Sequence, residues 1–108
     1  MISTYNTVMN NFVPSEFYLS QNYPNPFSEK TTIKYCVAYK TKVKVGVFNS
    51  EGKMVRSLLD EEQEAGTYEI EFDATGLPGG GLAPSEGIYV YKLRAGNFSA
   101  TKKMLMSK

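Results

Sequence analysis

Thr67-Tyr68-Glu69-Ile70-Glu71-Phe72-Asp73 decides the fold. Tyr68, Ile70 and Phe72 fall on one side of this stretch, and Glu69, Glu71 and Asp73 on the other. Only a pleated strand sorts alternate residues in this way, since a helix would wind the carboxylates around its axis. One face is dry and one wet, which predicts a strand of an antiparallel sheet with one side in water. The same period governs 31–37, with Ile33, Tyr35 and Val37 opposed to Thr32, Lys34 and Cys36. It governs 42–48 too, where Val43, Val45 and Val47 oppose Lys42 and Lys44. Asn49-Ser50-Glu51-Gly52 then supplies a hairpin signal.

The remaining segments extend the pattern in both directions. Phe17-Tyr18-Leu19 reads as a short first strand. It runs into Asn22-Tyr23-Pro24-Asn25-Pro26-Phe27, where two prolines remove two amide donors. Such a segment belongs at an edge or a crossover, not in a central ladder. Residues 53–59 are ambiguous: Met54, Val55, Leu58 and Leu59 have helical spacing, but flanking Gly-bearing turns favour a bulged strand over a helical turn. Residues 75–86 carry Gly76, Pro78, Gly79, Gly80, Gly81 and Pro84 and read as a loop. In 87–94, Tyr89, Tyr91 and Leu93 oppose Ile88 and Val90, which predicts a central strand covered on both faces. Ala95-Gly96-Asn97 turns the chain into a last strand over 98–106.

About seven strands joined mostly by tight turns mean an all-β, antiparallel sandwich of the immunoglobulin-like kind. At 108 residues there is room for one domain. The polar stretch before it makes 1–16 a flexible leader or linker, with 17–108 the folded unit.

Composition narrows the function. The chain has no His, which excludes Ser-His-Asp, Cys-His and His-ligated zinc chemistry. Cys36 is the single cysteine, so no intrachain disulfide forms, and it reads as a small packed hydrophobe. No phosphate-binding glycine loop opens a helix, and no cofactor is expected. Glu69, Glu71 and Asp73 stand about 7 Å apart in succession along one strand face. They read as a solvated face in preference to a cation site or an acid/base pair. Asp60-Glu61-Glu62 is a charged turn without calcium-loop spacing. A formal charge of +1 with scattered lysines gives no nucleic-acid stripe. No segment has the length of a membrane span, and no signal peptide is visible, so export would rely on another part of a larger chain.

Two interaction readings stay open at this level. Tyr5, Tyr18, Tyr23, Tyr39, Tyr89 and Tyr91 are candidates for a carbohydrate-binding or adhesion face, although alternation within strands puts most of them in the core. Thr101-Lys102-Lys103, ahead of Met104-Leu105-Met106, reads both as a docking epitope and as an edge strand guarded by lysines.

Several motifs together resemble one family. Leu19-Ser20-Gln21-Asn22-Tyr23-Pro24-Asn25-Pro26-Phe27 followed by Thr31-Thr32-Ile33-Lys34-Tyr35 is similar to the opening of the type IX secretion system C-terminal sorting domain (type A). Val47-Phe48-Asn49-Ser50-Glu51-Gly52-Lys53-Met54-Val55, Ala65-Gly66-Thr67-Tyr68, Gly87-Ile88-Tyr89-Val90-Tyr91-Lys92-Leu93 and Lys102-Lys103-Met104 are similar to its later blocks. The loop over 78–86 is longer than that family's turn and resembles the immunoglobulin-like domain of flagellar hook-capping proteins, a structural module. The resemblance implies a non-catalytic, immunoglobulin-like sorting and attachment domain of an exported, cell-surface or extracellular protein. Its implied partner is an outer-membrane secretion translocon or a surface protein. The expected contact residues are Lys102, Lys103 and Lys108 on the terminal hairpin, with Pro24, Asn25 and Pro26 of the proline box. Cargo, cleavage and oligomeric state are left open.

Overall fold

A computed structural model describes residues 14–75 and 87–107. Its strands are β1 (Tyr18–Leu19), β2 (Lys30–Val37), β3 (Thr41–Phe48), β4 (Met54–Gln63), β5 (Gly66–Asp73), β6 (Ile88–Ala95) and β7 (Phe98–Leu105). They form two sheets, β1-β2-β5 and β4-β3-β6-β7, and every strand pairing is antiparallel. The all-β sandwich expected from the alternation is therefore the observed architecture. The predicted loop over 78–86 lies outside the described residues, as do most of the 1–16 leader and Lys108.

Period-two burial builds the core. Thr31, Ile33, Tyr35 and Val37 of β2 stand opposite Phe72, Ile70, Tyr68 and Gly66 of β5 on one inner face. Val43, Val45 and Val47 of β3 line the other, beside Ala95, Leu93 and Tyr91 of β6. Ile33, Val37, Val43, Val47, Phe72 and Leu93 are fully buried. Each such side chain contributes about 1.5–3 kcal/mol relative to exposure.

β4 resolves the ambiguity over 53–59. Its register against β3 shifts twice, and Leu58 and Val55 are the extra residues. The helical spacing of Met54, Val55, Leu58 and Leu59 is a period of two interrupted by two bulges. The bulged strand holds, and the helical turn does not. The bulges on either side of Arg56 turn it inward, opposite Val47. There its guanidinium donates to the carbonyls of Asp73 (2.8 Å) and Thr75 (3.3 Å) and sits 5.8 Å from the Phe72 ring centroid. The Tyr35 hydroxyl donates to Gln63 Oε1 at 2.7 Å, and the Tyr68 hydroxyl holds the β4–β5 turn through Glu64 O at 2.7 Å. These bonds close one side of the sandwich. Burial pushes both the Tyr35 and Tyr68 hydroxyls above the usual tyrosine range.

Two expectations need correction. β6 is central, between β3 and β7, but among the described residues it is covered on one face only. Ile88 is 42% exposed and Val90 half-buried on the outer side, where no described residue packs over the larger sheet. Cys36 is half-buried on the outer face of the smaller sheet, its sulfur 3.8 Å from Thr67 Oγ1, and not in the core.

Candidate docking edge

The other side of the sandwich is closed by the proline box. Tyr23 exchanges backbone hydrogen bonds with Thr32, both 2.9 Å, as its last backbone pairing with the smaller sheet. The chain then crosses to the larger sheet, where Phe27 pairs in parallel with Met106: Phe27 N donates to Leu105 O and Ser107 N donates to Phe27 O. The peptide bonds preceding Pro24 and Pro26 are both cis. The crossover expected from two missing amide donors is what the chain makes. Phe27 is buried against Phe72, ring centroids 5.9 Å apart, and anchors the landing point.

A polar cluster holds this crossing in place. Asn22 is 2% exposed, yet its amide is satisfied: Nδ2 donates to Pro24 O (3.1 Å) and Thr31 Oγ1 (3.0 Å), and Oδ1 accepts from Gln21 Nε2 (2.8 Å). The Thr31 hydroxyl donates to Pro24 O at 2.8 Å, and Gln21 Nε2 also donates to Lys103 O at 2.8 Å. Every donor of the two amide groups has a partner, as burial requires. Asn25 Oδ1 accepts from Leu105 N at 2.9 Å.

These contacts bear directly on β7. Met106 N bonds back to Gly87 O, so alternate residues 98, 100, 102, 104 and 106 turn their amides toward β6. Ser99, Thr101, Lys103, Leu105 and Ser107 turn theirs outward. The proline box occupies the C-terminal half of that edge: Lys103 O, Leu105 N, Leu105 O and Ser107 N are all taken. The amides and carbonyls of Ser99 and Thr101, and the amide of Lys103, face the side on which no strand among the described residues pairs. All three residues are exposed. The edge strand expected over 98–106 is thus half open and half plugged.

The expected contact residues fall in different places. Pro24, Asn25 and Pro26 are exposed and lie against the Leu105 end of β7. Lys103 projects from the outer face beside Val90, whereas Lys102, opposite Tyr91, turns to the inner rim. Neighbours on a strand point apart, so these two lysines form no single patch. Lys108 lies outside the described residues. Gln21, Asn22 and Thr31 were not anticipated; the available signal was a run of amide side chains entering a double-proline segment.

The tyrosines divide differently from expectation. Tyr89 and Tyr91 are buried, while Tyr18, Tyr23 and Tyr39 are each more than half exposed. Tyr18 and Tyr23 share the outer face of the smaller sheet, and Tyr39 sits edge-on to Phe17 at one pole. Tyr5 is outside the described residues. The Tyr91 hydroxyl donates to Ser20 O, and burial pushes its pKa up to about 12. Of the carboxylates on β5, Glu69 pairs with Lys34 at 3.6 Å, and Asp73 accepts from the amide and hydroxyl of Thr75, which lowers its pKa. Among the described residues no three metal-binding side chains come together.

Two antiparallel sheets around one apolar core make this an all-β sandwich domain. The chain belongs to the secretion system C-terminal sorting domain family, whose model matches residues 21–107. That span opens on Gln21, the first residue of the crossover cluster, and ends on Ser107, the last to bond with it. The domain is a type IX sorting signal, of a family that is not catalytic. No curated protein and no solved structure matches the chain. The match carries no relation to hook-capping domains. Membership implies an exported, cell-surface protein that meets the type IX machinery. No helix among the described residues is long and apolar enough to cross a membrane.

Proposed function

We propose that the outer-membrane type IX apparatus reads this domain by adding a strand to the open half of β7, residues 99–103. Strand addition draws affinity from main-chain bonds and specificity from flanking side chains. Lys103, on the outer face, selects the partner's side chains, and Lys102 contacts it from the inner rim. Pro24, Asn25 and Pro26 fix where an added strand must stop. The observation that carries this reading is the division of one edge into an occupied and a free half. The other long edges suit the role less well: β4 is broken by two bulges, and β5 carries Glu69 and Glu71.

The test is a signal-bearing reporter fused to residues 1–108 in a type IX-competent host. Thr101→Pro removes an outward amide but no bond to β6, and prolines are tolerated at such edge positions. Thr101→Ala keeps the amide. Surface delivery is expected to be lost with proline and kept with alanine, with both purified domains folded. Delivery of a folded Thr101→Pro variant at the parental level would refute strand addition.

A further inference from the structure

The outer face of the larger sheet is divided between apolar and cationic side chains. Leu105 stands opposite Ile88, Val90 opposite Phe48, and Phe48 opposite Met54, so an apolar strip crosses all four strands, roughly 14 Å at the usual strand spacing. Met54, Ile88 and Leu105 are each at least 40% exposed. Gly46 lets Met54 lie flat: a Cβ there would sit 2.8 Å from the Met54 methyl. The cations follow immediately. The Lys92 ammonium rests 5.0 Å from the Phe48 ring centroid, and Lys44 stands directly opposite Arg94.

Like charges directly opposed across strands oppose folding, so the pair of Lys44 and Arg94 does not stabilise the sheet, although Lys44 also has Asp60 of β4 opposite it on the other side. Lys42 is bonded to Asp60, but Lys44, Lys92 and Arg94 make no ion pair among the described residues. The face carries five cations (Lys42, Lys44, Lys92, Arg94, Lys103) against Asp60 and Glu62, a surplus of three in a chain of formal charge +1. Positive charge is therefore gathered on this face, and two copies would repel through it.

We propose that this face docks an extended polypeptide segment of a partner protein, with apolar side chains followed by carboxylates at alternate positions. Along β6 the outward residues run Ile88, Val90, Lys92, Arg94. Their spacing of about 6.6 Å is that of same-side residues in another extended chain. The complement is therefore apolar, apolar, acidic, acidic at every second residue. A lipid surface has no such period. This docking is separate from strand addition at β7, because Thr101→Pro changes one side chain opposite Lys92 but leaves the β6 row of Ile88, Val90, Lys92 and Arg94 in place.

The probe is the synthetic peptide Thr-Leu-Thr-Val-Thr-Glu-Thr-Glu-Thr, titrated by NMR into the full chain. Shifts are expected at Phe48, Val90, Lys92 and Arg94, weakening with salt. Arg94→Glu should weaken binding about tenfold or more, since two paired charges become repulsive. It also places Glu opposite Lys44, so its melting temperature should not fall, which separates lost binding from lost fold. Lys34→Glu, on the opposite sheet, should bind as the parent does. The proposal is overturned if Arg94→Glu binds like the parent, or if a peptide of scrambled order binds equally well. It is also overturned if phosphatidylglycerol vesicles bind where the peptide does not, or if sedimentation shows a dimer that Arg94→Glu dissolves.

Discussion

Asn22→Ala probes the crossover most directly. The substitution deletes three hydrogen bonds: one accepted from Gln21 and two donated to Pro24 O and Thr31 Oγ1. At about 1 kcal/mol net for each, the loss is about 3 kcal/mol. Pro24 O keeps the Thr31 hydroxyl and Gln21 keeps Lys103 O, so no partner is wholly stranded. A domain of this size has about 5–15 kcal/mol in total, and the melting temperature should fall by about 10–20 °C. Asn22→Asp sharpens the test, because a buried carboxylate facing Pro24 O is opposed when charged. Its folded pKa therefore rises above the ordinary value of about 4. The penalty is absent below that value and grows as pH climbs through the raised one. Thermal unfolding followed by circular dichroism at acid and neutral pH reads both effects. A drop under about 3 °C for Asn22→Ala, or an Asn22→Asp deficit that ignores pH, would mean that the cluster is incidental to stability.

Three further outcomes follow from other contacts. With the Tyr91 pKa raised to about 12, the unfolded chain loses its phenolic proton first, so stability is intact below about pH 10 and falls by about 2–3 kcal/mol as pH rises through 12. Urea titrations in alkali should show that slope reduced in Tyr91→Phe. Gly87 has φ +38°, and a Cβ there would lie 2.5 Å from Met106 O, so Gly87→Ala should lose about 1–3 kcal/mol by chemical denaturation. Arg56→Met keeps the apolar stem but drops the bonds to Asp73 O and Thr75 O; about 1.5–3 kcal/mol should be lost, and Arg56→Lys should not restore it because the forked geometry is missing.

Much of this was legible in residue order, and the exceptions have physical reasons. Alternation in β2, β3 and β5 placed Ile33, Val45 and Phe72 inside, because each of those strands keeps one dry face. β4 resisted because two bulges mimic a helical period, and without the bulge count nothing turns Arg56 inward. Ile88 and Val90 misled because an apolar residue on a strand reads as buried even where it belongs to an open strip. The prolines announced a crossover, yet the bonds that fix it join Gln21 to Lys103, 82 residues apart. Pattern alone does not reach across such a distance. Lys102 and Lys103 held the opposite lesson: adjacent positions on a strand already implied that they part company.

The crossover also sets how the domain yields to tension. Phe17 stacks on Phe98 at one pole, while Phe27 is tied to Met106 at the far end of β7. A pull from upstream meets first the two-residue strand Tyr18–Leu19, which peels from β2 one bond at a time. It then reaches Gln21, Asn22 and Asn25, whose bonds fasten to Pro24, Thr31, Lys103 and Leu105 on both sheets at once. Unzipping gives way there to a clasp that must break as a unit. Drag on the preceding polypeptide can strip the entry strand and still leave the sandwich shut.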